Sequence, residues 1–400
     1  MFPDTLVHDS KSKILLAVLD GLGDIPGPGG PETPLEAAHT PHLDRLAREG
    51  TSGLFTPVAP GITPGSGPGH LALFGYDPAT YQVGRGVLSA LGIDFRLEPG
   101  DVAARFNFCS LDPDGNISDR RAGRLPTETN RRLVEQLRER VKPPSGVSLY
   151  WETETEHRGV LVLRGRELCG NLRDTDPQQT GRPALPVTPL DDEARATSSI
   201  VQSVLDQAHW TLKGEHPANG LLIRGFATLP RWPNFRERFG MKACAVAKYP
   251  MYRGVARLVG MTVARRYDAL SEAPALLAEA WASHDFFFLH FKDPDKAGED
   301  GDFERKKKAI ASFDLVVPDL LALRPDVFVV TGDHSTPVAM RQHSWHPVPV
   351  LLHAPATVRP DQVERFGERP AQQGGLGQRL MYELMALMMA HAGRLAKFGA

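Results

Sequence analysis

The chain has 400 residues, 41% hydrophobic and 24% charged, with 46 basic against 48 acidic side chains and a formal net charge of -2. That length supports a large core and more than one domain, because single cores stop growing at smaller sizes. The near-neutral balance gives no broad basic surface, which sets nucleic acid aside as a partner. No window approaches the roughly 18 uninterrupted apolar residues of a membrane span. The opening MFPDTLVHDSKSK has no apolar run behind a basic start, so the expectation is an unexported, cytoplasmic protein with no membrane partner. Cys109, Cys169 and Cys244 lie far apart without CxxC spacing, which indicates neither a disulfide framework nor a structural zinc site.

In chain order, the apolar run at 14–19 reads as a buried strand that ends on Asp20. A Gly/Pro-rich loop follows at 21–34, a helix is predicted over 36–49, and a second such loop spans 57–69. In that loop Ser66 sits among Gly65, Gly67 and Gly69, just before a helix that begins near His70. Its hydroxyl can be presented with open backbone N–H groups around an anion, or it can simply cap the helix in an ordinary turn. Residues 85–185 carry shorter alternating segments and many arginines, and they read as an inserted smaller α+β domain within a discontinuous core of 1–84 and 186–400. Beyond the insertion come strands near 220–227 and 242–247, helices at 251–260 and 273–283, and a strand at 285–291. A helix at 303–323 and strands at 326–331 and 347–353 complete the pattern. Such alternation predicts an α/β fold with a doubly wound, mostly parallel sheet whose ligands gather beyond the carboxyl ends of its strands.

Three strand ends carry the residue types that bind metal ions. VFVVTGDH (327–334) ends on Asp333 and His334, the first strand ends on Asp20, and FFFLHFKDPD (286–295) brings His290, Lys292 and Asp295. Asp20, Asp333 and His334 could hold a cation that activates Ser66 by neutralising its oxyanion. His290 and Lys292, two apart, share one side of their strand and could orient carboxylates or contact phosphate; at a sheet edge both would simply face water. Lys248 follows another strand and reads either as a phosphate contact or as a solvated lysine at a helix start. His70 stays open as a site residue because it follows the serine loop.

The segments LDGLGD (19–24), TPHLDRLAREG (40–50), PGSGPGHLALFGYDP (64–78), GRGVLSALG (84–92) and DRRAGRL (119–125) occur in one order. They are followed by HRGVLVLRG (157–165), DTDP (174–177), HFKDPDKAGEDGDFERK (290–306), TGDHSTP (331–337) and HSWHPVPVLL (343–352). Together they resemble the archaeal-type branch of the cofactor-independent phosphoglycerate mutases, within the alkaline phosphatase superfamily. The resemblance implies an alkaline-phosphatase-like sheet core and a phosphoserine intermediate at Ser66. It implies one ion on Asp20, Ser66, Asp333 and His334, and a second on Asp295, Glu299 and His343. The ions would be divalent, manganese or magnesium rather than zinc, with no organic cofactor. The partner is a small phosphorylated substrate gripped by Arg121, Arg124, Arg158, Asp174 and Asp176 in the inserted domain acting as a lid, and the chain could form a homo-oligomer. Glu299 departs from the histidine usual in the branch, and Gly67 from its acidic residue. The implied reaction interconverts 3-phosphoglycerate and 2-phosphoglycerate. A related metal-dependent phosphatase, phosphomutase or phosphotransferase acting on another small phosphate or phosphonate is the alternative.

Overall fold

The structure, a computed structural model, describes residues 4–27 and 30–399; of the loop expected at 21–34, residues 28 and 29 lie outside the described residues. The chain divides into two compact units, Met1–Gln82 with Trp232–Ala400, and Val83–Arg231. In chain order the strands are β1 (Ile14–Leu19), β2 (Thr51–Thr56), β3 (Val102–Leu111), β4 (Ile117–Asp119), β5 (Val147–Thr155), β6 (Arg158–Gly165) and β7 (Gly220–Thr228). They continue as β8 (Ala243–Val246), β9 (Thr262–Val263), β10 (Phe286–Phe291), β11 (Val327–Thr331), β12 (Val348–His353) and β13 (Gly377–Leu380).

The first unit holds a sheet of order β13-β2-β12-β11-β1-β10-β8-β9. β1, β10 and β11 are buried at every position, as continuous apolar runs are when helices cover both faces of a parallel sheet. β1 pairs in parallel with β10 and β11, its Leu19 opposite Phe291 and its Val18 opposite both His290 and Thr331. That register is what places Asp20, Lys292 and Asp333 at one edge. The expected mostly parallel α/β sheet is present, with β12 running antiparallel to both β11 and β2. β2 and β13 were not anticipated, because TSGLFT and GQRL lack the apolar density of the inner strands. The helix expected over 36–49 is two, Pro34–Ala37 and Pro41–Glu49, since Pro41 has no N–H with which to continue the first. The one expected over 303–323 is likewise split into Phe303–Asp314 and Val317–Ala322 at Pro318. Among the described residues, no helix is long and apolar enough to cross a membrane.

The second unit runs to Arg231, where the sequence placed its end at 185. The reason is β7: the strand expected to extend the large sheet instead pairs antiparallel with β3, in a sheet of order β4-β3-β6-β5. One face of this sheet, through Val102, Ala104, Phe106, Phe108, Leu161 and Leu163, packs with Leu133 and Leu137 of the helix Thr127–Arg140 and with Val201 and Val204 of the helix Arg195–Leu212. The helix Arg85–Gly92 approaches β3 through Gly86, where a Cβ would overlap the Ala103 carbonyl.

Buried polar groups fix the loop after β1. Asp24 accepts from Lys306 Nζ at 2.8 Å and gives its own N–H to Glu368 Oε1 at 3.0 Å, while the Thr33 hydroxyl donates to Glu368 Oε2 at 2.6 Å. Burial pushes the Glu368 carboxyl up to about 7 from 4.5. Between those values the native chain holds a proton that the unfolded chain has released, so stability present below pH 4.5 is lost as pH rises to about 7. We expect the unfolding free energy of the parent minus that of Glu368→Gln to fall by about 3 kcal/mol across this window in urea titrations. A flat difference would assign the slope to other groups.

Candidate active site

At the carboxyl edge of the first unit's sheet, three aspartates are fully buried. Asp20 is held from both sides: His290 Nε2 lies 2.8 Å from Oδ2, and Lys292 Nζ lies 3.2 Å from Oδ1. Burial alone would raise this carboxyl, but the Lys292 ammonium and the His290 hydrogen bond hold it well below the ordinary range. Lys292 Nζ also donates to Asp295 Oδ2 at 2.5 Å, so one ammonium bridges two strand ends. Opposing its burial, Asp20 first and then the other neighbours raise the Lys292 pKa and keep it charged.

Thr336 sets the tautomer of His334. Its hydroxyl has one proton, given to Asp295 Oδ1 at 2.6 Å, so it accepts from His334 Nδ1–H at 3.0 Å. The Nε2 lone pair then faces Ser66 Oγ at 3.3 Å, Asp20 Oδ1 at 3.5 Å and Asp333 Oδ2 at 3.2 Å. His343 is arranged in the same way. Its Nδ1–H donates to the Pro64 carbonyl at 3.0 Å, leaving Nε2 to face Asp295 Oδ1 at 3.6 Å. A backbone or hydroxyl partner that fixes one ring nitrogen and frees the other is the pattern of metal-binding histidines.

Ser66 is the first residue of the helix Ser66–Leu73, which packs against the end of β11 through Gly69. A Cβ there would lie 2.5 Å from the Asp333 carbonyl oxygen, so only glycine lets the serine come this close to Asp333 and His334. His70, left open by the sequence, belongs to the cluster: its Nδ1 lies 2.8 Å from the Ser66 carbonyl and 3.2 Å from Asp333 Oδ2.

Among the described residues, two groups of donor atoms converge closely enough to hold a metal ion: Asp20, Asp333 and His334, and Asp295, His334 and His343. The donors suit a cation. Asp333 Oδ2 is buried with no hydrogen bond, and the free imidazole lone pairs converge on carboxylate oxygens that would otherwise only repel them. Glu299 is not gathered into the second group and its side chain is exposed. It stands one turn after Asp295 on the helix Asp293–Asp300, and like charges at that spacing repel. Partial desolvation of its carboxyl and the Asp295 charge raise its pKa. The Lys248 amine donates to the Asp268 carbonyl at 2.8 Å.

In the second unit the residues expected to grip substrate are sorted differently. Arg121 and Arg124 are exposed, in a turn where Ala122 and Arg124 adopt φ of 44° and 53°. Their neighbour Arg120 grips Asp176, through Nε at 2.9 Å and Nη2 at 2.8 Å. Asp174 accepts the Gly225 N–H at 2.6 Å. Arg158 opens β6 opposite Asn107. The sequence missed its neighbours Arg105 and Arg224, directly opposite each other on β3 and β7. The Nε atoms of both are buried without hydrogen-bond partners. Burial, with Arg158, Arg85 and Arg224 nearby, pushes Arg105 down to about 10. A lone arginine inside each apolar alternation, ARFNF and LLIRGF, was the available signal.

The fold and site together define an α/β protein with a helix-borne serine set beside two groups able to hold metal ions. A family model for 2,3-bisphosphoglycerate-independent phosphoglycerate mutase matches residues 47–219. A protein of Thermus thermophilus, named as a probable 2,3-bisphosphoglycerate-independent phosphoglycerate mutase, is 51% identical over 99% of this chain and 98% of its own length. One of Thermotoga maritima with the same name is 46% identical over 100% and 98%. Among solved structures, a Pyrococcus horikoshii protein superimposes with a TM-score of 0.83 at 31% identity, covering 97% of this chain and 99% of that one. The cofactor-independent phosphoglycerate mutase of Thermoplasma acidophilum gives 0.73 at 31% identity, covering 96% and 100%. The chain belongs to the 2,3-bisphosphoglycerate-independent phosphoglycerate mutase family.

Replacing Gly69 by alanine forces a methyl into the Asp333 carbonyl. Overpacking of this kind costs about 1 to 3 kcal/mol. We expect Gly69→Ala to lower the melting temperature by several degrees and to weaken Mn²⁺ binding measured by calorimetry; parental values for both would mean that the helix shifts freely.

Proposed function

We propose that this protein interconverts 3-phosphoglycerate and 2-phosphoglycerate through a phosphoserine at Ser66, with two bound divalent ions. The observation that carries the reading is Ser66 Oγ at 3.3 Å from His334 Nε2, beside both donor groups, in a chain 51% identical to a relative named for this activity. In the first transfer the bond from C3 oxygen to phosphorus breaks as one from Ser66 Oγ forms; in the second the phosphoryl passes from Ser66 to the C2 oxygen. The ions, when bound, neutralise phosphoryl charge and favour the serine alkoxide.

The chain's own groups position and balance charge. Ser66 sits at the positive end of its helix, which favours a phosphoryl group there. His70 holds the serine's carbonyl, fixing the turn that aims the hydroxyl. Lys292 keeps Asp20 ionised and holds it beside Asp295, and its charge is available to the phosphoryl oxygens. Ser66 is only 9% exposed, which limits the access of water that would hydrolyse a phosphoserine. Arg105, Arg158 and Arg224 supply the second unit's affinity for anionic groups of the substrate, since Asp176, 3.4 Å from Arg224, and Glu154, beside Arg105 and Arg158, balance only part of their charge.

Metal preference follows from the donors. Oxygen in place of an imidazole at position 299 favours Mn²⁺ or Mg²⁺ over a softer ion, with Glu299 turning in to complete the second group once a cation offsets Asp295. Glu299→Gln should then weaken one of two Mn²⁺ binding events by about tenfold in calorimetry and leave the other within about twofold. Parental affinities at both sites in the variant would remove Glu299 from the ligand set.

The activity itself is tested by supplying 3-phosphoglycerate to the Mn²⁺-loaded protein and following 2-phosphoglycerate and free phosphate, beside Ser66→Ala. Isomer without phosphate, abolished by the substitution, is expected. Phosphate alone would mean a phosphatase, and neither product would exclude this substrate.

A further inference from the structure

Among the described residues, and apart from the metal-type ligands, Tyr252 touches both His290 and Lys292, the partners of Asp20. Tyr252 lies in the first turn of the helix Pro250–Leu258 and is 2% exposed. Its ring stacks on the His290 imidazole, with centroids 3.6 Å apart and planes inclined at 23°. Its hydroxyl oxygen accepts from Lys292 Nζ at 2.7 Å. His290 and Lys292 are the groups that take the two oxygens of Asp20, and Lys292 reaches on to Asp295.

An ammonium has three N–H bonds and no preferred plane, so it sits in one place only when three acceptors surround it. Here the three are Asp20 Oδ1, Asp295 Oδ2 and the Tyr252 hydroxyl. Two are carboxylates of different donor groups; the neutral third sets the direction from which the lysine approaches them. With that acceptor removed, a four-carbon side chain that is 16% exposed can turn one N–H toward water. The ring has a separate part, restricting the plane in which His290 meets Asp20.

We propose that Tyr252 is a positioning residue for phosphoryl transfer, its hydroxyl fixing the Lys292 ammonium between Asp20 and Asp295. Its kinetic consequence rests on the mutase reading; the geometric one does not. Tyr252→Phe keeps the stack on His290 and deletes only the hydroxyl, and Lys292→Met removes the group through which it acts.

With 3-phosphoglycerate and Mn²⁺, Tyr252→Phe should lower kcat by about tenfold with KM within about twofold, because the lost interaction bears on the transition state rather than on binding. Lys292→Met should lower kcat further, and the double variant should be no slower than Lys292→Met, since residues that act through one another are not additive. Losses that multiply, or a parental kcat in Tyr252→Phe, would overturn the proposal.

A second readout needs neither substrate nor metal. In protein labelled with ¹⁵N-lysine, the Lys292 ammonium, identified by its absence from Lys292→Met, should give a signal protected from solvent exchange. That signal should broaden in Tyr252→Phe at a parental melting temperature. An unprotected signal in the parent, or an unchanged one in Tyr252→Phe, defeats the proposal whatever the enzyme's substrate. A parent without mutase turnover but with the expected signals would defeat the mutase reading alone.

Discussion

Three buried carboxylates at one sheet edge would drive one another apart, and the first unit is organised around preventing that. Asp20, Asp295 and Asp333 arrive together because the parallel register of β1 with β10 and β11 ends all three strands at the same level. Repulsion in so dry a place is met by Lys292, by the imidazoles of His70 and His290, and by the Thr336 hydroxyl. Removing one partner of such an arrangement exposes the full cost of the other's burial. Selection of charged partners here is thus a condition of folding as well as of chemistry.

The same crowding explains why the histidines point as they do. His334 and His343 each spend one ring nitrogen on a neutral acceptor, Thr336 and Pro64, and turn the other toward carboxylate oxygen. Lone pair against lone pair is unfavourable unless a cation stands between. The protein carries that local strain on a rigid sheet rather than on a loop, which keeps the donors in place.

Much of this was legible in the chain. Asp20, Asp333 and His334 could be read because each follows an uninterrupted apolar run, and a polar residue at the exit of a buried parallel strand faces the ligand edge. His290 could be read from its place on β10, whereas Lys292 stands just beyond that strand, at the cap of the helix Asp293–Asp300, where strand alternation no longer applies. Tyr252 could not be read: its partner His290 is far along the chain, and only the packing of a helix beside β10 brings them together. Arg105 and Arg224 likewise meet through the β3–β7 register, which a strand assigned to the wrong sheet conceals. That Arg120 pairs with Asp176 while Arg121 stays exposed depends on the turn at Ala122, where side-chain direction is set by backbone angles that the residue names do not specify. Glu299 shows the opposite case, a residue whose identity was readable but whose orientation depends on a charge balance.

The discontinuity of the first unit bears on how the chain matures. Among the described residues, its β1 pairs with β10 and β11, and β2 with β12 and β13, all encoded beyond the insertion. During synthesis β1, which ends at Leu19, must therefore wait unpaired until Phe286 has been made, and β2, which ends at Thr56, until Val348. The second unit is contiguous and closes its own antiparallel sheet, so it can complete while still near the ribosome. The exposed interval belongs to the apolar β1, and substitutions that slow translation or later pairing should raise aggregation without touching any residue of the site.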